Sequence, residues 1–136
     1  MKYRIVVPVT PVAKARPRVG KHGNVYTPKK TQEFENTVRF FASKTIKRPL
    51  DGAVKLSVRF YFPRPKKLYW KNKDMPPVLH DKRPDISNLI KSVEDALNGI
   101  AYRDDAQIAV VHAEKWYHSG DEDDKPCVEI EVEKAL

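Results

Sequence analysis

The chain has 136 residues and a formal net charge of +8, and 40% of its residues are hydrophobic. This length suits a single domain with one core, spanning residues 1–136. No apolar run approaches the roughly 20 residues of a membrane span, and the apolar stretch near the N-terminus is too short for a signal peptide. We therefore expect a cytoplasmic protein. Cys127 is the one cysteine, which excludes an internal disulfide, and no cluster of cysteine and histidine has the spacing of zinc ligands.

The charge is divided unevenly along the chain. Residues 1–103 contain 23 basic and 8 acidic side chains, whereas residues 104–136 contain 3 basic and 10 acidic ones. Such an excess of positive charge attracts nucleic acid or an anionic membrane surface, mainly through phosphate neutralisation and counterion release. A charge that serves only solubility is the alternative. We expect a polyanion to lie against the basic part.

The spacing of apolar residues predicts the first elements. Residues 3–9 alternate between apolar and polar as a half-buried strand does, and Pro8 limits that strand to an edge or an end. Residues 10–30 contain three prolines and many basic residues, which favours a basic loop or an irregular hairpin. Apolar residues at steps of three and four predict a helix from Thr31 to Ile46, with Thr31 as its cap.

The second half of the chain repeats this order. Residues 54–62 alternate cleanly and predict a strand, and residues 63–84, with five prolines and no period, predict a long exposed loop. A helix from about Asp85 to Asn98 precedes strands at 107–117 and 127–133, which a solvated hairpin loop joins. Together the elements predict an α/β (α+β) protein, with a mixed sheet of four or more strands and two main helices packed on it.

The second predicted helix has two distinct faces. On a helical wheel the apolar residues of 86–97 occupy one sector and the polar residues occupy the opposite one. Asp85 precedes the first apolar position, which places it at or near the helix N-cap. Its carboxylate would then cap the helix, and this cap would stabilise the helix by about 1 kcal/mol. Lys91 and Asp95 would form a surface pair. The other interpretation assigns Asp85 to a functional site.

An acidic pair, Asp104 and Asp105, comes directly before the third long strand. The chain turns back at 98–99, so a short return carries this strand towards the helix. If packing brings Asp105 near the first turns, Asp85 and Asp105 supply oxygen ligands for magnesium, which typically takes one or two protein carboxylates, water and phosphate. Lys91 would then stabilise the charge that builds on a phosphate.

Three motifs in this region resemble the RusA family of Holliday-junction resolvases. They are Arg-Pro-Asp-Ile-Ser-Asn-Leu-Ile-Lys at 83–91, Asp-Ala-Leu-Asn-Gly at 95–99 and Asp-Asp-Ala-Gln-Ile at 104–108. The family pattern is Asp-x-Asp-Asn-Leu-x-Lys, Asp-Ala-Leu and Asp-Asp-x-Gln, and the basic segment at 11–18 is also similar to one found in many members. The resemblance covers most of the chain.

The resemblance implies a small homodimeric endodeoxyribonuclease that nicks two strands of a four-way DNA junction. It implies dependence on magnesium or manganese, no small-molecule organic cofactor, and a bacterial, phage or prophage context. Roles carry over residue by residue: catalytic to Asp85, Lys91 and Asp105, metal-binding to Asp85, Asp105 and Asp104, and supporting to Ser87 and Asn88.

One position departs from the family pattern. Ser87 stands where the family has the second aspartate of Asp-x-Asp. A serine hydroxyl is a weak neutral ligand and does not replace the lost negative charge. Three functions therefore stay open: an active junction nuclease, a branched-DNA binder that has lost cleavage, and a basic interaction module whose acids only cap helices and aid solubility.

Basic residues are the expected phosphate contacts, and they would set affinity and its salt dependence. The expected contacts are Arg16, Arg18, Lys29, Lys30, Lys66, Lys67, Lys71, Lys82 and Arg83. Beside the lysines at 66–73, Tyr69 and Trp70 either stack on bases or anchor the loop to the core. His80 is either a contact to phosphate or metal-bound water, or an ordinary loop histidine, and the second is favoured.

Overall fold

The computed structural model describes residues 2–15, 18–26, 28–65, 68, 76–119 and 125–136. Segments with alternating apolar residues form strands, and segments with a spacing of three and four form helices, as these periodicities require. In chain order the elements are β1 (Lys2–Val7), β2 (Arg18–Val19), β3 (Val25–Tyr26), α1 (Lys29–Thr45), β4 (Val54–Phe62), β5 (Val78–Leu79), α2 (Ile86–Leu97), β6 (Ile108–Tyr117) and β7 (Cys127–Lys134).

Strand β4 is the centre of a five-stranded mixed sheet with the order β1-β7-β4-β6-β5. β7 pairs antiparallel with β4 and with β1, and β5 pairs antiparallel with the end of β6. β6 runs parallel to β4. A parallel neighbour requires a crossover connection, and α2 lies within it. The β2-β3 hairpin forms a separate two-stranded sheet.

Two helices cover one face of the sheet and enclose the core. Every second residue of β4 is buried against them, and the buried helix side chains include Phe34, Val38, Leu89, Val93 and Leu97. Burying one such side chain contributes about 2 kcal/mol, so this packing fixes α2 on the sheet. Tyr102 is fully buried beside α2, and its hydroxyl donates to the Glu94 carbonyl at 2.7 Å.

The predicted fold class is confirmed. The strand at 54–62 and the helix between Asp85 and Asn98 lie where the periodicity places them, with Asp85 and Asn98 as the two cap residues. The irregular basic region at 10–30 contains the β2-β3 hairpin. Among the described residues, no helix combines the length and the apolar character that crossing a membrane requires.

The predicted cap of α1 is wrong. The helix begins at Lys29 and its N-cap is Pro28, whereas Thr31 lies inside the first turn and is 1% exposed. Proline suits the start of a helix because its fixed φ matches the helical value and its missing N–H would have no partner there. The Thr31 hydroxyl instead accepts a hydrogen bond from the N–H of Ala15 at 3.4 Å.

Two predicted loops also differ from the structure. β6 and β7 are not hairpin partners, because β4 lies between them; alternation identifies a strand but not its neighbour. The segment 63–84 is not uniformly exposed, since it contains β5 and the buried side chains of Arg64 and His80. Residues 120–124, with Tyr69 and Trp70, lie outside the described residues.

Arg64 joins two points of this segment, Leu68 and Pro76, to the residues that follow β6. It is 5% exposed and donates to four backbone carbonyls, those of Leu68 at 2.9 Å, Pro76 at 2.8 Å, His118 at 3.4 Å and Ser119 at 3.2 Å. A buried cation is tolerated only where hydrogen bonds replace its hydration. Arg64 therefore has a structural role.

Replacing Arg64 by Met should lower the free energy of unfolding by about 3 kcal/mol, because the mutation leaves buried carbonyls without donors. Urea denaturation followed by circular dichroism measures this change. The exposed Arg48 provides a matched control, and Arg48→Met should change stability by less than about 0.5 kcal/mol. Equal urea midpoints for both variants would contradict the structural role of Arg64.

Candidate active site

An open groove of about 640 Å³ lies between the start of α2 and the second half of β6. Apolar and charged side chains share its walls, as expected where a protein surface must contact a polar ligand. The lining residues include Asp85, Ile86, Ser87, Ala113, Glu114 and Lys115. Two of the site residues predicted from the sequence, Asp85 and Ser87, therefore lie on this groove.

Asp85 occupies the N-cap position of α2, but its side chain makes no capping hydrogen bond. The backbone alone closes the helix start, since the Asp85 carbonyl accepts from the N–H groups of Asn88 at 3.1 Å and Leu89 at 3.2 Å. The interpretation in which this carboxylate caps the helix is therefore wrong. The exposed carboxylate lines the groove instead.

Lys115 of β6 holds the segment that leads into Asp85. Its ammonium donates to the carbonyl of Lys82 at 2.5 Å and to that of Pro84 at 2.8 Å. Two charge-assisted bonds to the same short segment restrict its backbone. Lys115 thus positions the residue that follows, which is Asp85.

His80 fastens the same segment to the end of β6. Its ring stacks on Tyr117 at 4.3 Å between centroids and meets Phe62 edge-on at 4.7 Å. Its Nδ1 accepts from the N–H of Lys82 at 3.1 Å. Burial and the charge of Lys115 lower the pKa of His80, which favours the neutral ring that can accept this bond. His80 is 7% exposed, so these contacts indicate the structural role.

A short 3₁₀ turn, Asp105–Gln107, precedes β6 and places Asp105. Asp104 Oδ1 accepts from the N–H of Ala106 at 2.9 Å, and this bond, with the Asp105 side chain, holds the pKa of Asp104 below its ordinary value. The Gln107 side chain accepts from the N–H groups of Arg103 and Asp104, which completes a capping box. The Asp-Asp-x-Gln pattern is thus explained locally, because its first and last residues fix the turn around Asp105.

Lys91 and Asp105 lie together. Lys91 Nζ is 3.5 Å from Asp105 Oδ2 and 3.2 Å from Asp95 Oδ1. The hydrogen bond to Asp95 raises the pKa of Lys91, and the Asp105 carboxylate adds to this effect against the opposing effect of burial. The segment before β6 therefore reaches the second turn of α2, where Asp105 contacts Lys91, while Asp85 lies at the helix start on the groove.

Two further carboxylates lie near Lys91: Asp95, whose predicted pair with Lys91 is confirmed, and Glu94, which the sequence assigned only to the polar face. Glu94 and Asp95 follow Lys91 by three and four residues, so all three share one side of α2. Burial raises the pKa of Glu94, and the nearby charges of Asp105 and Asp95 raise it further, against the attraction of Lys91. The spacing from Lys91 was the available signal for this cluster.

The remaining predicted residues fall in several places. Ser87 and Asn88 are exposed in the first turn of α2, and the carbonyl of Asn88 accepts from the N–H of Lys14 at 2.8 Å. Of the predicted phosphate contacts, Lys29, Lys30, Lys82 and Arg83 lie within the described residues and are exposed. Arg16, Lys66, Lys67 and Lys71 lie outside the described residues, as does the side chain of Arg18.

The donors of the site suit a hard divalent cation. Within the described part of the chain, no three acidic, histidine or cysteine side chains are grouped so as to enclose a metal. Magnesium does not need such a cage, because it takes one or two carboxylates and completes its octahedron with water and phosphate. Carboxylate oxygens of Asp85 and Asp105 therefore fit magnesium or manganese in chemistry.

Comparison with known proteins gives one family. A sequence model of the endodeoxyribonuclease RusA family matches residues 8–133, which include the whole candidate site. The chain belongs to the RusA endodeoxyribonuclease family. YqaN of Bacillus subtilis strain 168, described as an uncharacterized protein, is 33% identical over 136 aligned residues, covering 92% of this chain and 91% of YqaN. The motifs of the RusA family thus fall on the groove, on Lys91 and on the turn before β6.

Replacing Lys115 by Met should lower endonuclease activity more than tenfold, because Asp85 loses the anchor of its preceding segment and small displacements of reacting groups cost about a hundredfold. The free energy of unfolding should change by only about 1 kcal/mol. Junction nicking and urea denaturation measure the two effects. Lys55→Met, on the opposite face of the sheet, is the control. Wild-type activity in Lys115→Met would show that the segment keeps its place without this anchor.

Proposed function

We propose that this protein is a magnesium- or manganese-dependent endonuclease that resolves four-way (Holliday) or other branched DNA by paired nicks during recombination and repair. The observation that carries the proposal is the contact between Lys91 and Asp105, next to a groove lined by Asp85, in a chain of the RusA family. An ammonium beside half-buried carboxylates, in a strongly basic protein, suits the cleavage of a phosphodiester.

Each of these residues has a distinct task in the proposed reaction. Asp85 and Asp105 would hold the divalent cation, with Asp104 beside them and Ser87 and Asn88 in support. When bound, such a cation polarises the scissile phosphate and lowers the pKa of an attacking water. Lys91 stabilises the negative charge that builds on the phosphate.

Binding to DNA is assigned to basic residues around the site. Lys82 and Arg83 immediately precede the Pro84-Asp85 pair, so a backbone phosphate held there lies close to the groove. Lys29 and Lys30 are exposed at the start of α1, where Lys29 pairs with Glu33 at 3.9 Å across one turn. A pair this exposed is weak, so phosphate can replace Glu33 as the partner of Lys29.

A homodimer is part of the proposal. A four-way junction presents two symmetry-related strands, and two copies related by a two-fold axis place one site at each strand. This arrangement explains how a chain with one set of Asp85, Lys91 and Asp105 would make paired nicks.

Asp105→Asn should reduce nicking of a labelled four-way junction by at least about a hundredfold, since the amide neither carries the charge of the carboxylate nor pairs with Lys91. The assay compares the junction with linear duplex of equal length, in magnesium and in manganese. Asp51→Asn is the matched control, because the Asp51 side chain is 70% exposed and its carboxylate pairs with Arg103 at 2.8 Å. It should nick like the wild type.

Other outcomes of this assay point to the other functions. Tight junction binding by the wild type with no metal-dependent nicks would contradict the nuclease and favour a branched-DNA binder. Equal affinity for junction and linear duplex would favour a basic interaction module.

Ser87→Asp should lower the magnesium concentration for half-maximal nicking by about tenfold, because it restores a carboxylate on the groove beside Asp85. Titration of nicking rate against magnesium measures the change. Ser43→Asp, an exposed serine of α1, adds the same charge away from the groove and should leave the titration unaltered. If both variants have the wild-type titration, position 87 does not contribute to metal binding.

A further inference from the structure

Four ionic side chains with alternating charge form a chain that ends at the candidate site. Lys14 Nζ is 3.3 Å from Asp95 Oδ2, and Lys91 Nζ is 3.2 Å from Asp95 Oδ1. Lys91 Nζ is also 3.5 Å from Asp105 Oδ2. We call Lys14, Asp95, Lys91 and Asp105 the ionic chain. Asp95 links the two lysines of this chain, because each of its two carboxylate oxygens faces a different lysine.

The backbone fixes Lys14 relative to α2. The Lys14 N–H donates to the Asn88 carbonyl at 2.8 Å, and the Ser92 hydroxyl donates to the Val12 carbonyl at 2.9 Å. In each bond one partner, Asn88 or Ser92, belongs to the helix that carries Asp95 and Lys91, and the other belongs to the segment that carries Lys14. Contacts of the backbone at Val12 and Lys14 with α2 therefore help to set the distance between Lys14 and Asp95, in addition to the side chains.

Partial burial makes the pair of Lys14 and Asp95 stronger than an ordinary surface pair. The side chains of Lys14 and Asp95 are 22% and 23% exposed, whereas that of Lys91 is 51% exposed. Salt and water screen charges less where access is restricted. Burial lowers the pKa of Lys14, but hydrogen bonds and charges from Glu35 and Asp95 outweigh it and raise the pKa overall. Lys14 therefore remains a cation against Asp95.

We infer that Asp95 and Lys14 are positioning residues for Lys91, an inference that rests on the proposed nuclease function. Asp95 draws the Lys91 ammonium along α2 towards Asp105. Lys14 neutralises part of the Asp95 charge. Asp95 therefore directs Lys91 but does not bind it so tightly that the ammonium is unable to move to a phosphate. Without Lys14, Asp95 has one cation left and binds Lys91 more strongly. Catalysis then slows, while DNA affinity, which other basic residues set, changes little.

The test is a double-mutant cycle on junction nicking with the full-length protein. Lys14→Met should lower kcat about tenfold and change KM less than about twofold. Lys14→Met/Asp95→Asn should have the kcat of Asp95→Asn alone, because Lys14 acts through Asp95. Lys14→Arg keeps the charge and should retain at least about half of the activity. Additive losses in the double variant would overturn the inference.

The Glu35→Gln variant distinguishes two roles of Lys14: positioning Lys91 through Asp95, and only attaching the N-terminal segment. Glu35 Oε1 lies 2.6 Å from Lys14 Nζ, nearer than Asp95 Oδ2 at 3.3 Å, whereas Lys91 pairs with Asp95 and Asp105. Removing its charge leaves Lys14 paired with Asp95, so kcat should fall less than about twofold. A loss as large as that of Lys14→Met would mean that Lys14 only joins the helices, and would overturn the inference.

A second measurement does not need cleavage. The ¹⁵Nζ and ¹³Cε NMR signals of Lys91 report its ionic partners directly. They should shift in Asp95→Asn and in Lys14→Met, and shift less in Glu35→Gln. A Lys91 signal that is identical in all three variants would overturn the inference. If the wild type cuts no junction, the proposed function fails, while the Lys91 signal still decides whether Lys14 and Asp95 place this ammonium.

Discussion

The parallel pairing of β4 with β6 is the constraint on which the candidate site depends. A parallel neighbour cannot be reached through a tight turn, so the chain crosses over the sheet through α2. α2 then runs opposite to β6. Its start lies beside Lys115 near the end of β6, and its second turn lies beside Asp105 at the beginning of β6. Lys115 thereby meets the segment before Asp85, and Asp105 meets Lys91, along one helix.

The local elements were predictable from the sequence because periodicity depends on neighbouring residues only. The alternation at 54–62 predicts β4 without error, and the polar and apolar sectors of 86–97 predict α2 and its buried side. The partner of each strand was not predictable, because pairing depends on the whole fold. Thr31 shows a second limit: a good capping residue was overruled by Pro28, which starts the helix three residues earlier.

The candidate site was predictable in part for the same reason. The motifs identify Asp85, Lys91 and Asp105, but only packing brings Asp105 to Lys91. Lys14 is 77 residues from Lys91, and no local pattern connects them; the connection passes through Asp95, whose role needs three dimensions. Asp85 was open to two interpretations in sequence. The backbone closes the helix start without its carboxylate, and this observation removes one of them.

The uneven charge of the sequence becomes more even in the fold. The acidic strand β7 lies between β1 and β4, and its Glu129 and Glu131 pair with Arg4 and Lys2. The basic first part of the chain is thus partly neutralised by the acidic last part on the open face of the sheet. The surface that remains positive and available to a polyanion therefore depends on the fold. It does not coincide with the basic part of the sequence before residue 103.

Arg64 has a consequence for how strongly this protein would respond to salt. The slope of log K against log salt counts the cations that meet phosphates, and not the cations in the sequence. Arg64 and Lys115 donate to backbone carbonyls, and Lys14 pairs with carboxylates. These charged side chains hold parts of the folded protein together. A phosphate footprint calculated from all 26 lysines and arginines would therefore be too large.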